Sequence, residues 1–185
     1  MLLDDFEDGD LTLSRADGLR GAWYATNDGS GEQVGPLSVM NDESEPASRA
    51  LYTSGVGFEE WGAFVAARLN SARGRACTYD LSASTGLSLR VRGSGSVRVN
   101  VATTATTPLV DGGTCKDERC SDFGAAVELT PVWRELKLDF ASLTQPDWAR
   151  PTSFDASTVL RVSIWTEQED FELWLDDLAF YGAGE

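Results

Sequence analysis

Acidic side chains near the two ends of the chain are the groups best suited to chemistry. Residues 3–9 read LDDFEDG, and Asp176 and Asp177 interrupt the apolar run 173–181 close to the other end. Both segments have the pattern of β-strands that carry acids. One of the two closing aspartates must point where a core would hold Leu or Val, and a carboxylate there is costly unless something compensates its charge.

A bound cation is the compensation that we predict. No Arg or Lys lies nearby in sequence, and Ca²⁺ held by side-chain and backbone oxygens is the usual choice in such a setting. In a strand of period two, Asp5 and Glu7 project from the same face. We therefore predict a structural Ca²⁺ site formed by Asp5, Glu7 and Asp177, to which the acidic loop 41–45 adds a ligand. The alternative is that these acids are solvated at a sheet edge.

The absence of histidine restricts the chemistry that the chain can perform. None of the 185 residues is His, which removes Ser-His-Asp and Cys-His catalysis and His-ligated zinc or copper. Paired carboxylates, an activated Lys or Tyr, or an oxygen-bound metal remain. The formal net charge of −15 repels phosphate backbones and anionic lipid. We therefore expect no nucleic-acid partner and no membrane partner.

The three cysteines predict one disulfide bond. Cys115 and Cys120 bracket a polar loop, and the chain offers no His and too few Cys to complete a tetrahedral zinc site with them. A disulfide that closes this loop is the better interpretation, and it indicates an oxidising environment. Cys77 is left over, and we expect it to be a small buried side chain.

Apolar alternation predicts an all-β fold in one domain, residues 1–185. Strands of period two are predicted at 49–57, 62–69, 86–93, 96–103, 132–140, 158–166 and 171–181. Turn residues separate them, which is the spacing of an antiparallel β-sandwich. Residues 93–95 predict a hairpin between two strands, and residues 144–155 predict a long irregular loop. No convincing helical period is present.

The same alternation predicts a polar sheet face that suits sugar recognition. Aromatic rings stack on the C–H-rich faces of sugars, and planar polar groups bind hydroxyls. The alternative is a solvated sheet with cross-strand charge pairs. The candidate ligand-binding residues are Tyr24, Trp61, Arg92, Arg98, Asn100, Arg161 and Trp165.

Four motifs resemble those of galactose-binding-like jelly-roll domains. They are the acidic opening strand, the GAWYATNDGSG segment at 21–31, the YDLS turn at 79–82 with its following strand, and the LWLDDLAFY closing strand at 173–181. More narrowly, the chain resembles the non-catalytic carbohydrate-binding modules of families four, eleven, twenty-two and thirty. The resemblance spans nearly the whole chain.

This resemblance implies both a fold and a function. The expected fold is a two-sheet antiparallel jelly roll with adjacent first and last strands, which a structural Ca²⁺ tethers. The expected function is binding of a plant-type polysaccharide (β-glucan, cellulose or xylan) on a concave sheet face, by a monomer that targets an attached secreted glycoside hydrolase. No signal peptide precedes Leu2, so we expect an excised domain of an extracellular protein.

Two other functions stay open. A jelly-roll glycosidase or lyase needs two opposed acids, whereas Glu135 and Asp139 lie four residues apart on one predicted strand, which disfavours hydrolysis. A structural or adhesion domain without a sugar site is also consistent with the fold, because a fold alone carries no function.

Overall fold

Apolar residues at alternate strand positions are buried between two antiparallel β-sheets in the computed structural model of the chain. The structure describes residues 1–42, 45–72 and 74–182. Strands make up about 53% of the chain and helix about 6%. The predicted all-β jelly roll is therefore confirmed.

The strands follow one another with short connections. Within the described residues they are β1 (Leu2–Asp4), β2 (Trp23–Asn27), β3 (Glu32–Asp42), β4 (Glu45–Val56), β5 (Ala63–Arg68), β6 (Asn70–Ala72), β7 (Arg75–Cys77), β8 (Gly86–Ser94), β9 (Ser96–Thr103), β10 (Phe123–Glu128), β11 (Arg134–Asp139), β12 (Val159–Thr166) and β13 (Phe171–Tyr181). Short 3-10 helices span Ala16–Gly18, Leu109–Asp111, Phe140–Ser142 and Ala156–Thr158. None of the described helices is long and apolar enough to cross a membrane.

Two sheets form the sandwich. The first has the order β11-β8-β13-β4-β3, with β1 beside β13, and the second has the order β10-β9-β12-β5-β2. Strands β6 and β7 form a separate hairpin. Leu87, Leu89 and Val91 of β8 are buried against Val99 and Val101 of β9 and their neighbours, so the core lies between the sheets.

The first and last strands are adjacent, as predicted. Antiparallel pairing joins β1 to the second half of β13, with Leu2 opposite Ala179, while β4 pairs with the first half. Strand β1 ends at Asp4, and Phe6 has a φ of 56°, so the regular alternation expected beyond Asp4 does not occur. Asp5 and Glu7 therefore do not project together from a strand.

A β-bulge accommodates the double aspartate of β13. The pairing with β8 shifts between Asp176 and Ala179, and Asp177 has a φ of 47°. On the amino-terminal side of the bulge the odd-numbered Leu173 and Leu175 are buried, and beyond it the even-numbered Leu178 is buried. The extra residue restores burial of the apolar side chains after the two acids, because a bulge shifts the period-two phase by one.

The predicted hairpin at residues 93–95 is wrong. Strand β8 pairs with β11 and β13, whereas β9 pairs with β10 and β12, so residues 93–95 carry the chain from one sheet to the other. Gly93 has a φ of 149°, and a Cβ there would lie 1.9 Å from the Glu172 carbonyl oxygen. Glycine is required by this close approach of two strands, and not by a hairpin turn.

The cysteines follow the predicted pairing. Cys115 and Cys120 form a disulfide, and Cys77 is free. Cys77 lies in β7 and is partly exposed, so the expectation that it is buried was wrong. Strand β7 belongs to the small β6–β7 hairpin and not to the sandwich core.

Candidate functional site

The outer face of the second sheet carries a cleft of about 880 Å³. Side chains along the strands of this sheet alternate between the core and this outer face. Val97, Val99 and Val101 of β9 face the core, whereas Arg98 and Asn100 line the cleft. The predicted alternation therefore positions polar side chains on a concave surface, which is the usual shape of a ligand site.

The floor of the cleft lies along a row of residues that runs across all five strands. Strand pairing places Gly124, Asn100, Ser163, Ala66 and Tyr24 side by side. Asn100 and Tyr24 of this row line the cleft, whereas Gly124, Ser163 and Ala66 are buried beneath its lining. The strands of this sheet that line the cleft are β9, β12, β5 and β2; at about 4.8 Å between neighbours they span roughly 14 Å, more than the width of one sugar ring.

Larger side chains border this floor on both sides. On one side Arg98, Trp165 and Phe64 are paired across β9, β12 and β5. On the other side Arg161 of β12 lies opposite Arg68 of β5. The cleft therefore has one aromatic border and one arginine border.

Gly124 shapes the floor at the β10 edge. A Cβ at this position would lie 2.2 Å from Asn100 Oδ1 and 2.6 Å from the Val99 carbonyl oxygen. Asn100 is 97% buried, and its side-chain amide lies directly over the glycine. The glycine holds this position because no larger residue leaves room for the amide.

Two loops build one wall of the cleft. The disulfide-closed loop contributes Cys120, Ser121 and Asp122, and the long loop after β11 contributes Pro146 and Trp148. The Gln145 side chain donates to the Ser121 carbonyl oxygen at 2.8 Å, and Arg150 N donates to the Arg119 carbonyl oxygen at 2.9 Å. These hydrogen bonds join the two loops into one wall.

Aromatic rings form a connected group at one end of the cleft. The rings of Trp61 and Trp165 are 6.1 Å apart at 85°, and Trp165 Nε1 donates to the Trp61 carbonyl oxygen at 2.7 Å. Phe64 contacts both Trp61 and Tyr24, each with centroids 6.1 Å apart. Edge-to-face contacts of this kind fix the ring orientations, which leaves stacking surfaces that are already ordered.

Three arginines line the cleft, each in a different setting. Arg161 pairs with Asp122 at 2.9 Å. Burial, the largest single effect, acts to lower the Arg161 pKa, but the Asp122 carboxylate together with Tyr24 and Asp111 raises the pKa overall. Arg68 lies over the Tyr24 ring at 5.1 Å, and Arg98 donates to the Thr144 carbonyl oxygen. Burial lowers the pKa of Arg98, which nonetheless remains a cation at neutral pH.

The cleft brings together most of the residues that the sequence indicated. Arg92 is the exception, because β8 belongs to the other sheet. Its guanidinium pairs with the buried Asp42 at 2.9 Å and lies over Trp174 at 4.4 Å. The predicted polar face combined strands that belong to two different sheets. Alternation shows which side chains point away from the core, but it does not show which sheet each strand joins. The predicted residues that line the cleft are Tyr24, Trp61, Arg98, Asn100, Arg161 and Trp165.

Several cleft residues were not among the predicted ligands. Phe64 and Arg68 lie in β5, within the predicted strand 62–69, but the outward-facing side chains of that strand were not predicted. Trp148 is 57% exposed and lines the cleft from the predicted long loop. An exposed tryptophan in a loop rich in proline was the available signal.

The predicted calcium ligands Asp5, Glu7 and Asp177 do not form one site. Within residues 1–42, 45–72 and 74–182, no group of three or more acidic or cysteine side chains is placed to hold a metal ion. Glu43 and Ser44 of the predicted ligand loop lie outside the described residues. Asp177 points outward, and its carboxylate lies 3.5 Å from the Arg90 guanidinium, which β8 brings to the acids from a distant part of the sequence.

Asp176 is the buried acid of the pair. It is 2% exposed, its Oδ1 accepts from Asp177 N at 2.8 Å, and its Oδ2 lies 3.5 Å from both Arg90 and the Ser48 hydroxyl. That hydroxyl donates to Glu7 Oε1 at 3.0 Å. Burial raises the pKa of Asp176 to about 7, and the negative charges of Asp177 and Glu7 add to the effect.

Asp4 is a second buried acid that the sequence did not single out. Its carboxylate accepts from Trp23 Nε1 at 2.8 Å and from Phe6 N at 2.9 Å. Burial raises the pKa of Asp4 to about 6. The acidic motif at the start of the chain therefore anchors the Trp23 ring and the turn at Phe6.

Comparison with known proteins identifies the architecture. No protein-family model matches the sequence, and no curated protein matches it. Among solved structures, a family 11 carbohydrate-binding module of a Clostridium thermocellum cellulosomal cellulase superposes with a TM-score of 0.65 at 12% identity, over 99% of this chain and 94% of that one. This chain has the jelly-roll fold of carbohydrate-binding modules.

A second module of this type has the same fold. The family 30 carbohydrate-binding module of another cellulosomal cellulase of Clostridium thermocellum gives a TM-score of 0.63 at 16% identity, over 100% of this chain and 99% of that one. A family 11 module from the same organism, solved with a β-1,3-1,4-mixed-linked tetrasaccharide, gives 0.60 at 13% identity, over 98% of this chain and 95% of that one. At these identities the likeness shows the fold alone.

Proposed function

We propose that this chain is a non-catalytic carbohydrate-binding module that holds a polysaccharide in the cleft of its second sheet. The observation that carries the proposal is the cleft across four strands, which has ordered aromatic rings along one border and arginines along the other. Rings and planar donors side by side are the groups that bind the C–H faces and hydroxyls of sugars.

The cleft shape favours a linear chain over a single sugar. The cleft is lined by side chains of four neighbouring strands, β9, β12, β5 and β2, so linked sugar rings fit where a pocket on one strand would accept only one. We extend the proposal to β-glucan, cellulose or xylan as ligand. The similar family 11 module in complex with a mixed-linked tetrasaccharide supports a glucan as the first ligand to test.

The biological setting is part of the same proposal. Both similar modules belong to cellulosomal cellulases, which supports a role in targeting an attached glycoside hydrolase to its substrate outside the cell. The Cys115–Cys120 disulfide is consistent with that oxidising location. We propose one domain, residues 1–185, that acts as a monomer.

Affinity electrophoresis with a panel of soluble polysaccharides tests the function. We expect the protein to be retarded in gels that contain mixed-linkage glucan, xylan, glucomannan or an acidic polysaccharide, relative to bovine serum albumin, and to release no reducing sugar from any of them. Retardation by none of these polymers would remove the proposed function.

The same assay separates binding from hydrolysis. Asp111, Asp122 and Glu167 line the cleft, and a glycosidase needs two opposed carboxyl groups. Thr106 and Arg161 engage the two oxygens of Asp122 at 3.0 and 2.9 Å, which disfavours this carboxyl group as a general acid. Release of reducing sugar would instead establish the enzyme.

A further inference from the structure

Two arginines lie opposite each other at the arginine border of the cleft. Arg161 of β12 and Arg68 of β5 are directly opposed in the strand register, and both side chains line the cleft. Like charges in directly opposed positions on neighbouring strands destabilise a sheet. The Asp122 carboxylate pairs with Arg161 but not with Arg68. The arrangement therefore leaves one guanidinium uncompensated at this border.

Two of the three cleft arginines, Arg68 and Arg98, form no ion pair with the described acids. Within the described parts of the chain, no carboxylate lies within 4.0 Å of Arg68 or Arg98. The sequence contains 30 acids against 15 Lys and Arg, so acids are abundant elsewhere. Asp111 and Glu167 line the same cleft without forming an ion pair with either arginine. The buried Nε of Arg161 also lacks a hydrogen-bond acceptor among the described residues.

We propose that the arginine border of the cleft binds the carboxylate of a uronic acid residue in the polysaccharide. This inference rests on the proposed function, since it names the chemical class of the sugar that the cleft holds. A guanidinium presents parallel N–H donors that match both oxygens of a carboxylate, and such pairs are stronger than hydrogen bonds between neutral groups.

The position of the border fits this ligand. Arg68 and Arg161 line the cleft together with Tyr24, so a sugar ring held in the cleft beside Tyr24 directs a substituent toward the two guanidiniums. Arg68 is also held over the Tyr24 ring at 5.1 Å, which orders its guanidinium before a ligand arrives. An ordered guanidinium loses less conformational entropy on binding than a free one.

The experiment compares a charged polysaccharide with its own uncharged form and with a neutral glucan. Dissociation constants are measured by isothermal titration calorimetry for polygalacturonate, for the same polymer after reduction of its carboxyl groups, and for mixed-linkage glucan. Dextran sulfate is the control for attraction to any polyanion. The variants are Arg68→Gln, which keeps donors but removes the charge, and Arg134→Gln, which removes an exposed arginine from β11 in the other sheet.

The parent protein is expected to bind polygalacturonate at least ten times more tightly than the reduced polymer, because the local guanidinium–carboxylate contacts outweigh the repulsion from the net charge of −15. Arg68→Gln is expected to lower polygalacturonate affinity about tenfold and to lower glucan affinity by a smaller factor, because glutamine keeps a planar donor for hydroxyls and loses the charge. Arg134→Gln is expected to match the parent. Arg68→Lys, which keeps the charge but loses the paired donors, is expected to bind with intermediate affinity.

Four results would overturn the inference. The first is glucan binding without polygalacturonate binding, and the second is equal affinity for polygalacturonate and its reduced form. The third is an Arg68→Gln variant whose polygalacturonate affinity is unchanged, and the fourth is equal affinity for dextran sulfate and polygalacturonate. The parent protein alone gives the first comparison, so the test does not depend on the folding of a variant. Binding of none of the sugars would remove the proposed function as well, which distinguishes the two failures.

Discussion

Two buried carboxylates sit where the first and last strands meet. Asp4 is 3% exposed and Asp176 is 2% exposed, and burial raises the pKa of the former to about 6 and of the latter to about 7. Trp23 Nε1 donates to Asp4, and the Arg90 guanidinium lies 3.5 Å from Asp176. These partners reduce the cost of burying two charges without removing it.

Stability is therefore expected to fall as the pH rises from 5 to 7.5. A carboxyl group with a raised pKa binds its proton more tightly in the folded state than in the unfolded state, where the pKa is near 3.8. Its contribution is present below pH 4 and is lost as the pH rises through the folded pKa. Urea denaturation in chelator should show a decrease of ~4 kcal/mol in the free energy of unfolding, the sum for the two carboxyl groups.

The Asp176→Asn variant is the control for this titration. It keeps the acceptor for Asp177 N and removes the charge, so its stability should depend less on pH. The chain has no histidine to add a titration in this range. A parent protein whose stability is constant or increases between pH 5 and 7.5 would contradict the assignment.

The same samples test the calcium prediction. Asp5, Glu7 and Asp177 do not converge, but Glu7 and Asp176 both contact the Ser48 hydroxyl. Calcium that raises the melting temperature of the parent at pH 7.5, and not that of Asp176→Asn, would re-establish a metal site with a different ligand set.

At the level of the strand, the bulge in β13 depends on one residue in the left-handed region. Asp177 has a φ of 47°, which costs most L-residues about 1 kcal/mol and β-branched residues more. Its carboxylate contacts Arg90 at 3.5 Å and is half exposed, so that ion pair adds little.

We expect Asp177→Gly to unfold at equal or higher urea concentration than the parent. Asp177→Val should be less stable than Asp177→Gly by ~1–2 kcal/mol, because both variants lose the Arg90 contact and only valine is strained by the positive φ. The same two substitutions at the exposed Asp147, whose φ is not positive, serve as control. Equal stability of the two Asp177 variants would show that the bulge is not as described.

The disulfide is a second feature at this scale, because it constrains one loop of the cleft wall. It closes the loop that contributes Cys120, Ser121 and Asp122 to the cleft wall. Replacing Cys115 and Cys120 together by Ser is expected to lower the free energy of unfolding by about 2 kcal/mol, as the chain-entropy model gives for so short a loop. Ligand affinity should fall with it, because Asp122 positions Arg161.

Cys77→Ser is the matched control and should change neither quantity. Alkylation of the unreduced, denatured protein followed by mass spectrometry should modify one cysteine, Cys77. Three modified cysteines would rule out the disulfide, and unchanged ligand affinity in the double variant would separate the loop from the binding site.

At the scale of the whole molecule, the sequence indicated the strands more reliably than their partners. The seven alternating segments that it predicted all contain strands, since burial on one face imposes a period of two. Which sheet each strand joins depends on contacts between distant residues, such as the pairing of β8 with β11 and β13. That is why Arg92 was grouped with the cleft and residues 93–95 with a hairpin.

Some irregular features of the structure can be predicted from the sequence, and others cannot. The change of apolar phase from Leu175 to Leu178 marks a bulge and was readable in the sequence. The burial of Asp4 was not, because its partner Trp23 lies 19 residues away. The cleft itself requires the twisted sheet and two joined loops, which no local pattern contains.

The central claim is that sugar binds on the second sheet, and a comparison of two tryptophans tests it most directly. Trp165 lines the cleft, whereas Trp133 precedes β11 in the opposite sheet, where Arg90 lies over its ring. Isothermal titration with whichever polysaccharide binds the parent most tightly should show that Trp165→Ala weakens binding by ~1 kcal/mol or more, about fivefold, while Trp133→Ala does not. Unchanged binding by Trp165→Ala together with loss of binding by Trp133→Ala would contradict the account.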